Sequence, residues 1–480
     1  MIKKSNAIIG SFLVVIGILL GIMGTNIYNN IFFQDSIKND QCKTTNNYSN
    51  IESLINIISK NSLYYENDTI LLEGALRGMV EALDDPYSTF ISEEEVIEFN
   101  NELENQKYGI GVSIQMNGNY PIVVHVYEDS PADKMGILVG DTIKTVDGID
   151  IENMTLQEIS ELIKGEAGVK RSIGVYKDNP QDVSIIELTI NLVKIKTVYY
   201  DHFLENNHHI GYLKIESFMN DTYDELVEAM TVLEEQGIEG LIIDVRDNPG
   251  GLLSSVTNVL DYFLNSDQAF MYSHNGTSEK AYYLGENNHV INYGIVILIN
   301  ERSASAAEVF AKAMQDLGNY DLIGTTTYGK GTMQGYYPID INTTTMMVKL
   351  TTAKWLTSEK LWIQDIGISP TIEVDSPNYR DLLHINPYQV IKYDNVNEDI
   401  KDLQIFLKYQ GYNIRTDGYF DINTKEALEN YQRTKKIAAT GEVDFLTAYN
   451  INIDIIEYKN NKNHDYQYQK AITYILNKLS

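Results

Sequence analysis

Three residues in the second half of the chain have side chains that could cleave an acyl bond: Ser305, Lys330 and Gln334. They lie in the segments ERSASAAEVFAKAMQD (301–316) and GTTTYGKGTMQG (324–335). A serine hydroxyl is a poor nucleophile until a base removes its proton, and a lysine can be that base only when its amine is uncharged. To be neutral near pH 7, a lysine pKa must fall by about three from its ordinary value of about 10.4, which costs about 4 kcal/mol. Only burial or a nearby positive charge can lower the pKa that far.

Two turns could supply main-chain N–H groups for the oxyanion that such an attack creates. The apolar strand GIVILIN leads into a helix that starts near Ser305, where free N–H groups and the helix dipole favour negative charge. The segment IIDVRDNPGG (242–251) ends a second buried strand in a glycine turn, which lets the backbone approach a substrate carbonyl. We therefore predict an oxyanion hole formed by the amide of Ala306 and an amide of Gly250 or Gly251.

Each of these features also has an ordinary structural explanation when it is taken alone. Ser-Ala-Ser is a common composition for a helix cap, and Asn-Pro-Gly-Gly is a common tight turn. An isolated lysine in a loop normally points into solvent. Two glycines flank Lys330, however, and they permit a backbone geometry that turns its ammonium inward. Only the combination of these features favours catalysis.

Charge and composition exclude several classes of function. The chain has 37 basic and 67 acidic residues, a formal charge of −30, so a nucleic-acid backbone would be repelled. The one cysteine, Cys42, excludes an intrachain disulfide framework and a CxxC zinc site. The eight histidines include no HExxH motif and no pair at metal-ligand spacing. We therefore expect neither a metal nor another cofactor.

The N-terminus predicts a membrane anchor. Lys3 and Lys4 precede the apolar run AIIGSFLVVIGILLGIMG (7–24), whose length as a helix is about 27 Å, close to a bilayer core of about 30 Å. No A-x-A cleavage site follows, which favours a signal anchor over residues 1–25 rather than a cleaved peptide. The basic flank stays inside, so we expect a single-pass membrane protein with an extracytoplasmic catalytic part. Abundant Ile, Asn, Tyr and Lys are typical of an AT-rich, Gram-positive bacterium.

The hydrophobic pattern divides the rest of the chain into segments of different type. Helical spacing comes first, then short β runs, then strands that alternate with helices, which together predict a multidomain α/β fold. The predicted segments are a linker (26–50), a helical region (51–104), a mostly β module (105–193), an α/β core (194–375, together with 51–104), a connector (376–397), a small helical domain (398–450) and a tail of unknown role (451–480).

Several ordered motifs resemble those of the carboxy-terminal processing peptidases, or tail-specific serine proteases. They are EGALRGMVEALDDPYSTFIS (73–92), RDNPGG, SASAAE and YGKGTMQ. The family's serine precedes its lysine by twenty-five residues, as Ser305 precedes Lys330, and the glutamine that holds the lysine follows by four, at Gln334. The resemblance implies a ClpP/crotonase-like core with a Ser–Lys dyad. One departure is Ala307, where many relatives carry a hydroxyl residue, and we expect it to cost little activity.

The β module is similar to a circularly permuted PDZ domain. The resemblance rests on YGIGV (108–112) followed by EDSPADKMGILVGDTIKTVDG (128–148). Such domains bind a peptide as an added strand and hold its terminal carboxylate with amides of a glycine loop, here Gly109, Ile110 and Gly111. Lys164 stands where relatives often have a basic residue near the ligand carboxylate or the protease body. An ordinary surface lysine is an equal alternative.

The segment 399–450 resembles the three-helix peptidoglycan-binding domain of cell-wall enzymes. The similarity runs through LQIFLKYQGY, DGYFDINTKEAL, NYQ and TGEVD. Leu403, Phe406, Leu407 and Leu428 have core spacing, which any three-helix domain also predicts. In relatives the module sometimes serves only protein contact, so its ligand stays open between peptidoglycan and protein.

Two functions from different classes remain. The first is a membrane-anchored endopeptidase that processes proteins with apolar or unstructured C-termini, and the second is a non-catalytic adaptor tethered to the wall. A dyad complete with Gln334 favours the enzyme. Ser–His–Asp hydrolysis is excluded because the chain has no GxSxG motif and no histidine in a comparable glycine-flanked segment. Relatives range from monomers to rings, and among these states we expect a homodimer.

Overall fold

The structure is a computed structural model. It describes residues 49–176, 182–285, 289–341, 344–375, 382 and 384–480. The predicted anchor (1–25), Cys42 and nearly all of the predicted linker lie outside these ranges. Within the described part of the chain, every helix is too short or too polar to span a bilayer.

The described chain begins with helices, as the apolar spacing predicts. They are α1 (Ser49–Asn61) and α2 (Asp68–Glu81), neither of which has a buried residue. Helix α2 ends before Asp85-Pro86 because a residue that precedes proline is disfavoured in a helix. A short strand β1 (Thr89–Ile91) and helix α3 (Glu93–Leu103) follow.

A small antiparallel sheet occupies the segment predicted as a β module. Strands β3 (Val112–Asn117), β4 (Tyr120–Val126), β5 (Thr142–Val146), β7 (Lys170–Tyr176) and β8 (Val183–Thr189) pair in that order, and β6 (Ile149–Asp150) pairs with β5. Strands β2 (Gln106–Gly109) and β9 (Asn191–Lys194) pair with each other. The helices are α4 (Pro131–Lys134) and α5 (Leu156–Ile163). Alternate side chains such as Val123, Ile143 and Ile173 are fully buried and form the core.

The α/β core is built on a six-stranded sheet. Its strands are, in spatial order, β10 (Val198–Glu205), β11 (His208–Ile215), β12 (Gly240–Asp244), β15 (Gly294–Ile299), β16 (Asp321–Gly324) and β19 (Ile372–Glu373). The strands are parallel from β11 onward, and β10 is antiparallel to β11. Every residue of β12 is buried, which explains its unbroken apolar sequence because parallel strands are covered on both faces.

Different helices cover the two faces of this sheet. Leu241 and Ile243 point toward helices α6 (Thr222–Glu235), α7 (Leu253–Phe263) and α8 (Ala306–Gly318). Ile242, between them in sequence, points to the opposite face and packs with α12 (Tyr466–Leu479). The predicted tail of unknown role therefore completes the core of the α/β unit.

A second sheet holds the strand that follows Lys330. Strands β1, β18 (Thr344–Thr357), β13 (Ala269–His274) and β14 (Glu279–Tyr283) pair in that order, and β17 (Thr332–Ile341) pairs with β18. The register sets Gln334 opposite Thr351 after an irregularity at Met333. Strand β1 is thereby brought beside β18. We call residues 82–103, which contain β1 and α3, the lead-in.

Three helices form the C-terminal domain, as predicted. They are α9 (Glu398–Tyr409), α10 (Ile422–Thr434) and α11 (Phe445–Asn460), and the side chains of Asn397, Asp421 and Asp444 cap their N-termini. Helix α11 continues past the predicted boundary at residue 450, and Ile451 and Ile455 belong to this domain's core. A short 3₁₀ turn (Lys462–His464) then leads to α12.

Candidate active site

Ser305 lies in a strained turn between β15 and α8. Its φ of +55° and ψ of −116° place a non-glycine residue in a sparsely populated region of backbone conformation. Such strain persists only where the surroundings hold it, and it is common at active sites. The turn presents Ser305 at the start of α8, where the first backbone N–H groups have no partner within the helix.

The glycine turn predicted to face Ser305 does lie against it. The Ala304 N–H donates to the carbonyl oxygen of Asn248 (2.9 Å), which joins the two turns. A Cβ atom on Gly250 would lie 2.8 Å from the Cβ of Ser305, so only glycine fits here, at a φ of +106°. The Gly250 N–H donates to Asn248 Oδ1 (2.8 Å). Within the described chain, the N–H groups of Gly251 and Ala306 have no acceptor.

A buried arginine links the segment that carries the glycine turn to the C-terminal helix. Arg246, which is 4% exposed, donates to the carboxylate of Asp244 in the same segment. Its Nη1 lies 2.8 Å from Asp465 Oδ2 and 3.0 Å from Gln467 Oε1, at the start of helix α12. The C-terminal helix therefore contacts the segment that carries Gly250.

A buried carboxylate joins the serine turn to the lysine loop. Glu308 is fully buried, and its Oε2 accepts the N–H of Ser305 (2.8 Å) and the N–H of Lys330 (2.9 Å). Its Oε1 accepts the Thr327 hydroxyl (2.6 Å) and the Gly329 N–H (2.7 Å). Burial raises the pKa of Glu308, and these four donors oppose that rise. One oxygen atom thus fixes the backbones of Ser305 and Lys330 next to each other.

Lys330 is half-buried, and its surroundings favour the neutral amine. Burial lowers its pKa, and the positive charge of Lys349 lowers it further, against the opposing charges of Glu308 and Asp85. Its Nζ lies 4.7 Å from the ring centre of Tyr87, in the lead-in segment. Within the described chain, this Nζ has no hydrogen-bond partner, and the contact with Ser305 Oγ is not formed.

The two tryptophans of the chain hold the backbone of the lysine loop. Trp355 Nε1 donates to the carbonyl of Lys330 (2.7 Å), and Trp362 Nε1 donates to the carbonyl of Gly331 (2.8 Å). Trp355 is buried in the main core of the α/β unit. The loop is therefore fixed by side chains as well as by Glu308.

Gln334 is held by threonines rather than by the lysine. Its Nε2 donates to Thr332 Oγ1 and to Thr351 Oγ1, each at 3.2 Å. Thr351 and Ser88 both hydrogen-bond Asp85. Burial pushes the Asp85 pKa upward, but these hydrogen bonds outweigh burial and the pKa is lowered. Nothing in the described chain donates to Gln334 Oε1.

Comparison with known proteins identifies the family to which the chain belongs. A model of peptidase family S41 matches residues 209–374, and models of a PDZ domain, a putative peptidoglycan binding domain and the N-terminal domain of the activating protease CtpB match residues 122–177, 396–449 and 21–95. The carboxy-terminal processing protease CtpB of Bacillus subtilis is 32% identical over 423 residues, which cover 88% of each chain. The chain belongs to the carboxy-terminal processing proteases of family S41.

Two further family members are also similar to the chain. The protease CtpA of Bacillus subtilis is 32% identical over 413 residues, 85% of this chain and 86% of its own. Among solved structures, the photosystem II D1 C-terminal processing protease is 26% identical, with coverage of 68% of this chain and 86% of its own and a TM-score of 0.43. The prediction that the chain is a carboxy-terminal processing peptidase with PDZ and peptidoglycan-binding-like domains is confirmed.

In this S41 protease the predicted peptide loop of the PDZ domain leads into an edge strand. Gly109 is the last residue of β2, and Ile110 and Gly111 connect β2 to β3. Within the described chain, β3 pairs with β4 and with no second strand, and it also contacts helix α5. Ile110 is buried and its carbonyl accepts the Ala132 N–H (2.8 Å), while Gly111 has a φ of +82°. The loop is therefore anchored to the domain, next to an edge that a peptide could extend.

Lys164 follows α5, and its ammonium contacts the helix of the lead-in. Its Nζ lies 3.2 Å from Glu98 on α3 and 3.3 Å from Glu161 on α5. Of the two positions that the resemblance implies, this contact corresponds to the protease body. The side chains are exposed, 41% for Lys164 and 64% for Glu98.

Three residues of the site lie within the family motifs but are not predicted individually from the sequence. Glu308 lies within SASAAE, and Asp85 and Tyr87 lie within the lead-in DDPYS. The local sequence explains each of them without a functional role. Glu308 is an acid in the first turn of a helix. Asp85 precedes a proline, which disfavours helix, and Tyr87 follows that proline. The one signal was their place inside family motifs.

Proposed function

We propose that this S41 protease is a membrane-anchored serine endopeptidase that works outside the cytoplasm with a Ser305–Lys330 dyad. The observation that carries the proposal is the shared Glu308 carboxylate, which accepts the N–H groups of both residues on one oxygen. A buried acceptor with four donors has one stable geometry. The Glu308 hydrogen bonds therefore support a site in which the nucleophile and the base lie next to each other.

In the proposed reaction, neutral Lys330 removes the proton of Ser305 Oγ as that oxygen attacks a peptide carbonyl. The tetrahedral oxyanion accepts hydrogen bonds from the free N–H groups of Ala306 and Gly251. The Gly250 N–H already donates to Asn248, so the role of Gly250 is to shape the turn. Lys330 then returns the proton to the leaving amine as the C–N bond breaks. Lys330 next removes a proton from a water molecule as that water attacks the acyl-enzyme. It then returns the proton to Ser305 Oγ as the acyl C–O bond breaks and the new C-terminus is released.

Gln334 has a defined role in this proposal. Its Nε2 is held by Thr332 and Thr351, while its Oε1 is left to accept an N–H of Lys330 when the amine turns toward the serine. For this contact the Lys330 amine would leave the ring of Tyr87 by a rotation of its own side chain. Gln334 would therefore orient the base without changing its charge.

Substrate capture is assigned to the PDZ domain. An apolar or unstructured C-terminus would pair with the free edge of β3, and its carboxylate would meet the amides of Gly109, Ile110 and Gly111. An extended chain is required because only an unfolded segment can add as a strand. The proposal therefore confines substrates to proteins with unstructured tails.

Location follows from two further features of the sequence. The apolar run 7–24 would hold the chain on the outer side of the cell membrane, and the peptidoglycan-binding-like domain would contact the wall. Fractionation of cells that express the full chain tests the first assignment, and co-sedimentation of the full chain with purified peptidoglycan tests the second.

The catalytic assignment is tested with the full-length chain in detergent and an unstructured peptide substrate. Ser305→Ala and Lys330→Ala are expected to abolish cleavage and labelling by a serine-directed covalent probe without loss of the folded state. Ser62→Ala, at an exposed residue that follows helix α1, serves as the control and should behave as wild type. Substantial cleavage by either dyad variant would falsify the dyad. A wild-type chain that neither cleaves nor reacts with the probe would favour the adaptor.

A further inference from the structure

A cavity of about 470 Å³ lies beside the proposed catalytic strand. Thr332 and Thr351, the two residues that hold the Gln334 amide, form part of its wall. Trp362 forms another part, and a Cβ atom on Gly331 would lie 2.7 Å from its Nε1. The cavity therefore lies next to the segment that follows Lys330.

Several of the groups that line the cavity can donate hydrogen bonds. Lys354 stands over Trp362, with its Nζ 3.6 Å from the ring centre, and within the described chain it has no acidic partner. His274 accepts the Gly276 N–H on Nδ1 (3.2 Å), so a neutral ring carries its proton on Nε2. Asn275 Oδ1 accepts from Thr277 and Ser278, which leaves the Asn275 amide nitrogen as a donor.

Acidic residues are missing from the described lining of this cavity. The chain has 67 acidic and 37 basic residues. Many lysines of the described part, such as Lys144, Lys194 and Lys360, lie within ion-pair distance of a carboxylate, whereas Lys354 does not. A positive charge over an aromatic ring, surrounded by neutral donors, is matched by an anion. The anion that a peptide substrate can offer is a carboxylate.

We propose that the cavity lined by Lys354, His274 and Thr332 binds a carboxylate of the substrate close to the scissile bond. The inference rests on the proposed peptidase function and gives it a preference for acidic residues near the cut. Two sources of the carboxylate share this chemistry: the side chain of an internal Asp or Glu, and the free C-terminus of a short substrate.

The test uses the full-length chain and a set of fluorogenic peptides. One glutamate is moved through the positions on both sides of the scissile bond, with glutamine at the same position as the reference, and each peptide is made with a free and an amidated C-terminus. Wild type is expected to show a kcat/KM about fivefold higher for the acidic peptide at one position, as a partly exposed ion pair supplies. A preference that follows the glutamate assigns a side chain, and one that follows the free terminus assigns the chain end.

Variants of Lys354 decide whether the cavity is responsible. Lys354→Gln keeps the stem over Trp362 and should reduce the preference to about onefold, and Lys354→Glu should make a lysine peptide the better substrate. Lys401→Gln is the matched control, because Lys401 is paired with Glu398 on helix α9 of the C-terminal domain, and it should keep the wild-type ratio. Equal ratios in wild type and Lys354→Gln, or an equal loss in Lys401→Gln, would overturn the inference while leaving the peptidase intact. A wild-type chain that cleaves none of the peptides would count against the proposed function itself.

Discussion

Two glutamates connect separate segments of this protease, and their surroundings are opposite. Glu308 joins the serine turn to the lysine loop, is fully buried and accepts four hydrogen bonds. Glu98 joins the lead-in helix to Lys164 of the PDZ domain through a pair whose side chains are 64% and 41% exposed. The first connection lies inside the α/β core, and the second lies between the lead-in helix and the PDZ domain.

The difference shows which geometry the fold fixes and which it leaves adjustable. A buried carboxylate cannot lose its donors without a large cost, whereas an exposed ion pair contributes about 0–1 kcal/mol and breaks readily. The backbones of Ser305 and Lys330 are therefore set permanently, while the contact between the PDZ domain and the lead-in helix can open. Four changes, ordered by expected effect, would break or sharpen this contrast.

Removal of the buried carboxylate should have the largest effect. Glu308→Ala leaves four buried or half-buried donors without an acceptor, each worth about 1 kcal/mol or more, so we expect a loss of at least about 4 kcal/mol. Urea unfolding measures the loss, and peptide cleavage should be abolished. Glu308→Gln, which keeps the shape, should recover part of the stability. Wild-type stability in Glu308→Ala would remove the basis of the comparison.

A buried cation should follow the same rule as the buried anion. Arg246→Met leaves Asp244 and Asp465 buried without a positive charge and should cost about 3–4 kcal/mol in the free energy of unfolding. The matched control is Arg302→Met, because Arg302 pairs with Asp247 at 52% exposure and should cost less than about 1 kcal/mol. Similar losses in the two variants would show that burial does not decide the strength of these links.

The pH dependence of cleavage tests the electrostatics around the base. The positive charge of Lys349 disfavours the ammonium form of Lys330 and lowers its pKa, so Lys349→Gln should raise that pKa. Because the base must be neutral, the rising limb of the kcat–pH profile should move to higher pH. Activity near pH 7 should fall and be recovered at alkaline pH. Lys360→Gln should leave the limb in place, and a limb that moves to lower pH would contradict this assignment of Lys330.

The exposed link should show the smallest effect. Glu98→Gln removes the ion pair with Lys164 and should change the free energy of unfolding by less than about 1 kcal/mol, as measured by urea unfolding. A loss comparable with that of Glu308→Ala would mean that the PDZ contact is as rigid as the catalytic unit.

Local sequence chemistry predicted the parts of the site that turns determine. The approach of Gly250 to Ser305 follows from two strand–turn segments at the same edge of a parallel sheet, and it could be inferred from GIVILIN, DNPGG and SASAAE. The anchor and linker lie outside the described residues and stay predictions. The dyad and the oxyanion donors stay predictions too, although the structure brings their backbones together.

The remaining features depend on contacts that no local pattern specifies. Glu308 looks like a first-turn acid until the lysine loop returns to it, twenty-odd residues later in the chain. The partner of Gln334 depends on the register of β17 and β18, including an irregularity at Met333. The sequence assigns no role to the tail (451–480), because the pattern of an amphipathic helix does not specify which apolar surface the helix covers.

The docking of α12 also bears on the order in which parts of the fold can be completed during synthesis. Arg246 meets Asp465, a residue 219 positions later in the sequence, so its charge has no complete set of partners while the intervening chain is still emerging. One face of the catalytic sheet, including Ile242, is likewise uncovered until α12 arrives. Because such distant contacts form last, the sheet that carries the glycine turn is completed only after the two C-terminal units have been made. The fold of the protease is thereby incomplete until nearly its whole length has been synthesised.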